Sequence, residues 1–291
     1  MRLARLGHEH TDWLRRLTEA DPAQHVFLAS LLELTGSAQV SSPAGTLWGV
    51  FDGESPVAAY WIGGSIISIA ATPRTNVEVA HMLNSRGRSA CSLIGDHRAV
   101  IDLHRRLRWG PARNVRADQP FMVADRSPRV APAPAVRVGD LGDVSEAYAA
   151  AVEMFTEEVG FSPVEHGSAA YLGKVRANLS SGSTLLYTAE CGPDGAPLSR
   201  WPAPNSARQV VFKADIGIRS RSAVQIQGVW VHPVFRGTGL AAPGMVAVTD
   251  HIRRTVAPIA SLYVNAFNAP ALRTYRSAGY SQTGRFATII Y

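Results

Sequence analysis

Between Val229 and Ala241 the chain has little conformational choice. The apolar run Val229-Trp230-Val231 ends at His232-Pro233, and proline removes a backbone donor and halts ladder pairing. Arg236-Gly237-Thr238-Gly239-Leu240-Ala241 then opens a stretch of helical periodicity with Pro243 in its first turn, where proline is tolerated. A strand that must stop and a helix that must start leave the helix's first N–H groups without backbone partners, and glycine puts no side chain over them. Such a place favours an anion, a diphosphate above all. A nucleotide P-loop does not fit, because no Gly-Lys-Ser or Gly-Lys-Thr follows. Gly237 to Ala242 matches the dinucleotide form G-x-G-x-x-A, but the acidic residue expected about 20 positions on is absent from Pro258 to Val264. A strand-to-helix turn that merely needs glycine explains the same two residues.

The rest of the chain divides at a proline-punctuated stretch, Asp125 to Pro134, which suits neither a helix nor a central strand. It predicts one domain over 1–126, a linker at 127–134 and a second domain over 135–291. In the first, helices are expected over 11–20, 25–35, 77–83 and 96–107, the last capped by Asp96. Strands are expected over 46–51, 56–62, 65–70, 90–94 and 119–124, with Asp52-Gly53 as a hairpin turn. In the second, strands are expected over 135–138, 184–190, 209–218, 223–231, 261–265 and 286–291. Helices are expected from Asp140 or Asp143 through Phe155, and over 168–179, 240–255 and 269–278. The segment Gly192 to Ala207, rich in Pro, Gly and Ser and containing Trp201, reads as a loop. The two halves share one element order, which predicts an internal duplication at the level of fold.

Two spaced patterns carry a family resemblance. Val231-x-Pro233 with Arg236-x-x-Gly239-x-Ala241 resembles the acetyl-CoA-binding motif of the GNAT N-acetyltransferase superfamily. Downstream, Leu262-x-Val264, Asn268, Ala271, Tyr275, Gly279 and Tyr280 resemble that family's second conserved stretch. The resemblance covers about 135–291. The first half, through Trp48-Gly49, Gly63, Ser92-x-Ile94-Gly95, Leu107 and Gln119-Pro120, resembles a domain of unknown function found fused ahead of such acetyltransferases. It reads as a degenerate copy, since Ala71 to Val77, where a cofactor loop belongs, has no glycine. The expected fold class is therefore α/β (α+β), with tandem GNAT-like domains, each a mixed and mostly antiparallel sheet flanked by helices.

The resemblance implies an acetyl-CoA-dependent transfer to a primary amine by direct attack on the thioester. It places pantetheine between the splayed strands 223–231 and 261–265, against backbone of Val229 and Val231. The diphosphate would lie on Arg236, Gly237, Thr238, Gly239, Leu240 and Ala241, with Thr238 as an extra donor. Asn268 contacts the cofactor in the resemblance, although Asn before Ala269-Pro270 also suits a helix N-cap. Tyr275 is the candidate acid for the departing thiolate; its other reading is a core tyrosine with a polar tip. Many relatives carry a glutamate on the strand 223–231; here the positions hold Gln225 and Gln227, which accept no proton at neutral pH. Deprotonation then runs through water or from another element; Glu157 and Glu158 at a helix C-terminus are the candidates, since carboxylates there oppose the dipole and invite a use, their other reading being plain surface exposure. His232 is a weaker one. An alternative reading is a non-catalytic acetyl-CoA sensor or interaction module.

Composition excludes several other classes. With 46% hydrophobic and 18% charged residues the chain is not globally disordered. Its basic residues outnumber acidic ones, 29 against 23, which favours anionic partners without choosing one. Cys91 and Cys191 are the only cysteines and stand in no metal-ligand spacing, so neither a zinc site nor a disulfide framework is expected. No metal cofactor is expected. The apolar stretch Val57 to Ala71 is broken by Gly63-Gly64 and too short for a membrane helix. No membrane partner and a cytoplasmic location are the expectation, helped by a charged rather than apolar start. The cluster Arg105, Arg106, Arg108, Trp109, Arg113 and Arg116 suggests RNA, but Ile101, Leu103 and Leu107 at helical spacing point to the solvated face of a packed helix.

Overall fold

The computed structural model describes residues 1–165, 167–191 and 207–291. Of the expected loop Gly192 to Ala207, residues 192–206, Trp201 among them, lie outside the described residues, and Ala207 opens a strand. In the N-terminal half the order is β1 (Arg2–Arg5), α1 (Thr11–Ala20), α2 (Val26–Thr35), β2 (Ser41–Ser42), β3 (Gly45–Asp52), β4 (Ser55–Gly63) and β5 (Ser65–Ile69). It continues with α3 (Asn76–Arg86), β6 (Ser92–Asp96), α4 (His97–Arg106) and β7 (Asn114–Ala124). Asp96 caps α4 as expected, its carboxylate accepting from the N–H groups of Arg98 and Ala99.

The C-terminal half runs β8 (Arg137–Val138), α5 (Val144–Val159), α6 (Ala169–Ser180), β9 (Thr184–Cys191), β10 (Ala207–Arg219) and β11 (Ala223–Val231). It closes with α7 (Ala241–Thr255), β12 (Ile259–Tyr263), α8 (Ala269–Ser277) and β13 (Tyr280–Ile290). The repeated order is present: helices, an antiparallel meander, then strand-helix-strand crossovers on each side.

The two halves do not close their sheets separately. One continuous mixed sheet runs β1-β3-β4-β5-β6-β13-β7-β12-β11-β10-β9-β8, with β2 paired to β3. The terminal strands are exchanged: β13 lies against β6 of the first half, β7 lies against β12 of the second, and the two pair with each other. That mutual pairing explains why both are longer than their apolar patterns suggest, since Asn114 and Arg116 pair with Ile290 and Thr288. Polar alternation over 114–118 hides the strand in the sequence. The cores follow the exchange. Met122 and Ala124 of β7 are buried in the core under α7 and α8, while Ala287 and Ile289 of β13 are buried in the core under α3 and α4. Phe121 and Phe286 stack at 4.7 Å at the seam.

Both halves contain a parallel pair that opens. β5 and β6 pair only from Ser65↔Ser92 to Ile67↔Ile94. β11 and β12 pair only from Ala223↔Ile259 to Gln225↔Ser261. Beyond Gln225, β11 follows β10 alone as far as Val231, and β12 follows β7. The sheet therefore gapes at the carboxyl ends of β11 and β12. No helix among the described residues is long and apolar enough to cross a membrane.

Candidate active site

A cleft of about 490 Å³ occupies that opening, walled by α5, α6, β11, β12 and α8. Its first determinant is backbone. β11 carries a bulge around Gly228, which adopts φ +61°, with register shifts against β10 on either side of Asp215↔Gln227. At the end of the strand, His232 N–H donates to Val211 O on β10. Successive N–H groups of a strand alternate sides, so Val231 presents its own to the gap. Its carbonyl points the same way and accepts from Arg236 Nε at 3.0 Å. An open strand edge is what an extended, amide-bearing chain pairs with.

The loop after β11 behaves as its glycines require. A 3-10 turn over Pro233–Phe235 is capped by His232, and Arg236 N–H donates to Pro233 O. The backbone then takes φ +77° at Gly237 and +87° at Gly239, where L side chains are strained although the space above each is open. Among the described residues, the amides of Gly237, Thr238, Gly239, Leu240 and Ala241 have no backbone acceptor, and the next bond is Gly244 N–H to Leu240 O. The Thr238 hydroxyl donates to Phe235 O, so its anion-facing group is the amide rather than the side chain. Five free amides at the N-terminus of a 15-residue helix make an anion cradle.

The side chains assort less simply. Tyr275, on α8, is buried and lines the cleft. Burial pushes its hydroxyl well above the usual tyrosine range, with lesser help from Tyr280 and the charge of Glu158, so it stays protonated at neutral pH. Asn268 caps α8 by accepting from Ala271 N–H at 3.1 Å and also lines the cleft. Glu157 and Glu158 stand on the cleft wall, each held by an arginine. Arg236 Nη2 donates to both Glu157 oxygens at 2.9 and 2.7 Å. Arg116 donates to the Glu158 carboxylate at 2.9 Å and to its carbonyl at 3.0 Å. Arg236 thus faces Glu157 rather than the open cradle, and two helix-terminal carboxylates are offset by cations. His232 packs edge-on between Trp230 and Phe235.

Arg116 is one of two contributions the sequence does not reveal. It comes from β7, so the strand exchange carries a first-half residue into this cleft; Arg113 meanwhile lies over the Phe161 ring, and Arg106 pairs with Asp102. The other is a buried pair on β10. Lys213 Nζ donates to Asp215 Oδ2 at 2.7 Å and to Gly228 O at 3.1 Å, and Thr184 Oγ1 donates to Asp215 Oδ1 at 2.8 Å. Asp215 lines the cleft directly across from Gln227. The only local signal was a Lys-Ala-Asp interruption in an otherwise apolar strand. Among the described residues no cluster of His, Cys, Asp and Glu is arranged to hold a metal.

Solved structures resemble the chain over nearly its full length. An acetyltransferase of the GNAT family from Colwellia psychrerythraea matches with TM-score 0.53 and 8% identity, covering all of both chains. A GCN5-related N-acetyltransferase from Sphaerobacter thermophilus matches at 0.55 and 17%, covering 99% of this chain and 94% of that one. A tandem GNAT protein from the clavulanic acid biosynthesis pathway matches at 0.53 and 13%, covering 99% and 97%. The chain has a tandem GNAT fold. A domain of unknown function (DUF4081) matches residues 45–147, so that unit begins at β3 and runs past β7 into α5 of the second GNAT half. No curated protein matches.

Proposed function

We propose that the chain is an acetyl-CoA-dependent N-acetyltransferase that passes an acetyl group to a primary amine, with its active cleft in the C-terminal half. The observation that carries this reading is the coincidence of five free amides at Gly237–Ala241 with a strand edge left open beyond Gln225. The first suits a diphosphate. The second suits the pantetheine amides, and the two are joined by the short turn Pro233–Phe235. The Val231 N–H is the donor closest in kind to what polarises a thioester carbonyl. Attack of the amine on that carbon breaks the C–S bond, and Tyr275, held protonated by burial, supplies the proton to sulfur.

Only the C-terminal half has this equipment. In the N-terminal half the corresponding loop, 70–75, has no glycine, and the smaller cavity beside it, about 270 Å³ and shared with the second half, is walled mainly by apolar groups such as Phe27, Ile69 and Phe286. Its role is to complete the catalytic sheet through β7 and to supply Arg116. The acceptor is a small molecule or a peptide, taken up in the cleft that α5 and α6 help to wall. Calorimetry with acetyl-CoA, followed by thiol release with a panel of amines (amino acids, polyamines and a lysine peptide), tests the reading. Micromolar binding with amine-dependent thiol release is expected. Binding without release under every amine supports the sensor alternative instead, and absence of binding overturns both.

A further inference from the structure

We infer that Asp215, on β10, takes the proton from the acceptor amine, in place of the absent strand glutamate. The inference rests on the transferase reading above. A base is needed because an alkyl amine is mostly ammonium at neutral pH and has no lone pair to offer. The strand positions hold Gln225 and Gln227, and Glu157 and Glu158, paired with Arg236 and Arg116, are about half exposed to solvent, whereas Asp215 is buried in the cleft. Asp215 stands opposite Gln227 in register, so it lies one strand over from the vacant position and inside the same cleft.

Its surroundings leave it able to act. A carboxylate offers about four lone-pair sites, and two are used here, by Lys213 and Thr184. The Lys213 ammonium has three protons, and all are placed: on Asp215, on Gly228 O and against the Met154 sulfur at 3.9 Å. Lys213 is thus fixed as a cation and is no base itself. Oδ2 accepts from Lys213, and a Cβ at Gly228 would stand 2.7 Å from it, so glycine at the bulge leaves room on that side of the carboxylate. The other groups facing this space do not compete for the proton. Tyr171, on α6, is pushed up to about 12 by burial and by the charge of Asp215, Lys174 on α6 is a cation, and Tyr275 stays protonated.

The protons balance as follows. The ammonium gives one to Asp215, and the freed lone pair forms the N–C bond. The adduct nitrogen sheds a second as the C–S bond breaks; sulfur receives one from Tyr275, whose hydroxyl is restored by the second through cleft solvent. Asp215 returns the first to solvent, so one proton is released per amide formed.

The test compares wild type with the double variant Lys213→Gln/Asp215→Asn, which removes both buried charges together and keeps the hydrogen-bonding shape. Acetyl-CoA affinity by calorimetry and thiol release with the most active amine of the panel are read from pH 6 to 10. The expected result is affinity within about threefold of wild type and turnover about 10²-fold lower at neutral pH, the deficit shrinking as pH approaches the amine's own pKa. Hydroxylamine, largely unprotonated at neutral pH, is expected to show a much smaller deficit than the alkyl amine. Turnover within threefold of wild type, or a deficit equal at every pH and for both nucleophiles, overturns the assignment. If the double variant loses acetyl-CoA binding, Thr184→Val decides. It keeps the ion pair but removes one hydrogen bond donated to the carboxylate, so in a profile extended down to about pH 4 the acidic limb of kcat/KM moves to higher pH; an unmoved limb overturns the role. Wild type that binds no acetyl-CoA fails the transferase reading itself, a different outcome from all of these.

Discussion

Tyr275 has two readings in the sequence, core tyrosine or acid, and the fold gives it features of both: it is buried against Tyr280 and it lines the cleft. Among the described residues its hydroxyl has no hydrogen-bond partner, so Tyr275→Phe removes a proton donor without leaving a group unsatisfied. Turnover is expected to fall at least about tenfold, with acetyl-CoA affinity and melting temperature nearly unchanged. Glu157 gives a prediction of opposite sign. It holds Arg236 beside the cradle in an exposed pair, which contributes about 0–1 kcal/mol to stability. Glu157→Ala therefore leaves stability nearly unaltered and frees Arg236 for the diphosphate. Acetyl-CoA binding is expected to tighten by up to about fivefold in calorimetry; weaker binding would show that Glu157 itself serves the cosubstrate.

Asp143 belongs to the same scale but to stability. It is 1% exposed and accepts from Arg137 and Arg208 and from the Asp140 N–H. Chiefly the Arg137 hydrogen bonds hold its carboxyl below the usual aspartate range. A lowered folded value means stability fully present above about pH 4, the unfolded value, and lost as pH falls through the folded one. Asp143→Asn should cost about 1–3 kcal/mol at pH 7 in urea unfolding. At pH 2 to 3 the gap from wild type should narrow.

At the scale of elements, what was legible depended on whether the determining residues are neighbours in sequence. The β11–loop–α7 unit and the Asn268 cap are local, and residues 223–231, 236–241 and 268–271 carry their whole specification. The opening between β11 and β12 was expected only through family resemblance, because it depends on a bulge at Gly228, which a lone glycine in a strand permits but whose consequence is set by its pairing with β10. Lys213 and Asp215 were missed for the same reason: their meaning comes from Thr184, Gly228 and Gln227 on adjoining strands. β12 was expected two residues late, at 261–265, because its parallel pairing starts at Ile259 while the apolar pattern continues through Val264. Gly228→Ala tests the bulge. Left-handed backbone costs an alanine roughly 1–2 kcal/mol, and its Cβ would crowd Asp215 and Lys213. Unfolding free energy should drop by at least that amount, and acetyl-CoA binding should weaken with it as the strand edge shifts. A variant as stable as wild type would mean the bulge readily relaxes.

The whole molecule is shaped by an exchange that the repeated element order conceals. In the sequence each half carries a complete set of strands, and the proline stretch at 125–134 stands between them. In the fold, β7 seals the second core through Met122 and Ala124, and β13 seals the first through Ala287 and Ile289. Further ties cross the same seam: Arg253 of α7 donates to the Ala124 carbonyl, and Glu33 of α2 accepts from the Arg221 N–H. Neither half can therefore bury its core alone. Residues 1–134 would leave β6 as an unpaired edge beside exposed Val100, Leu103 and Leu93 side chains, a template for aggregation. Residues 135–291 would leave β12 without β7 and β13 without a place in any sheet. Expressed separately, each half should be aggregated or poorly structured by circular dichroism and gel filtration, and co-expression of the two should restore a soluble complex. The intact chain should melt in one transition, and Met122→Ala, in a first-half strand, should cost about 2–5 kcal/mol and lower that transition as a whole. Two separable transitions, or a folded 135–291 fragment that binds acetyl-CoA, would show that the strands are interchangeable and that the exchange is not what joins the halves.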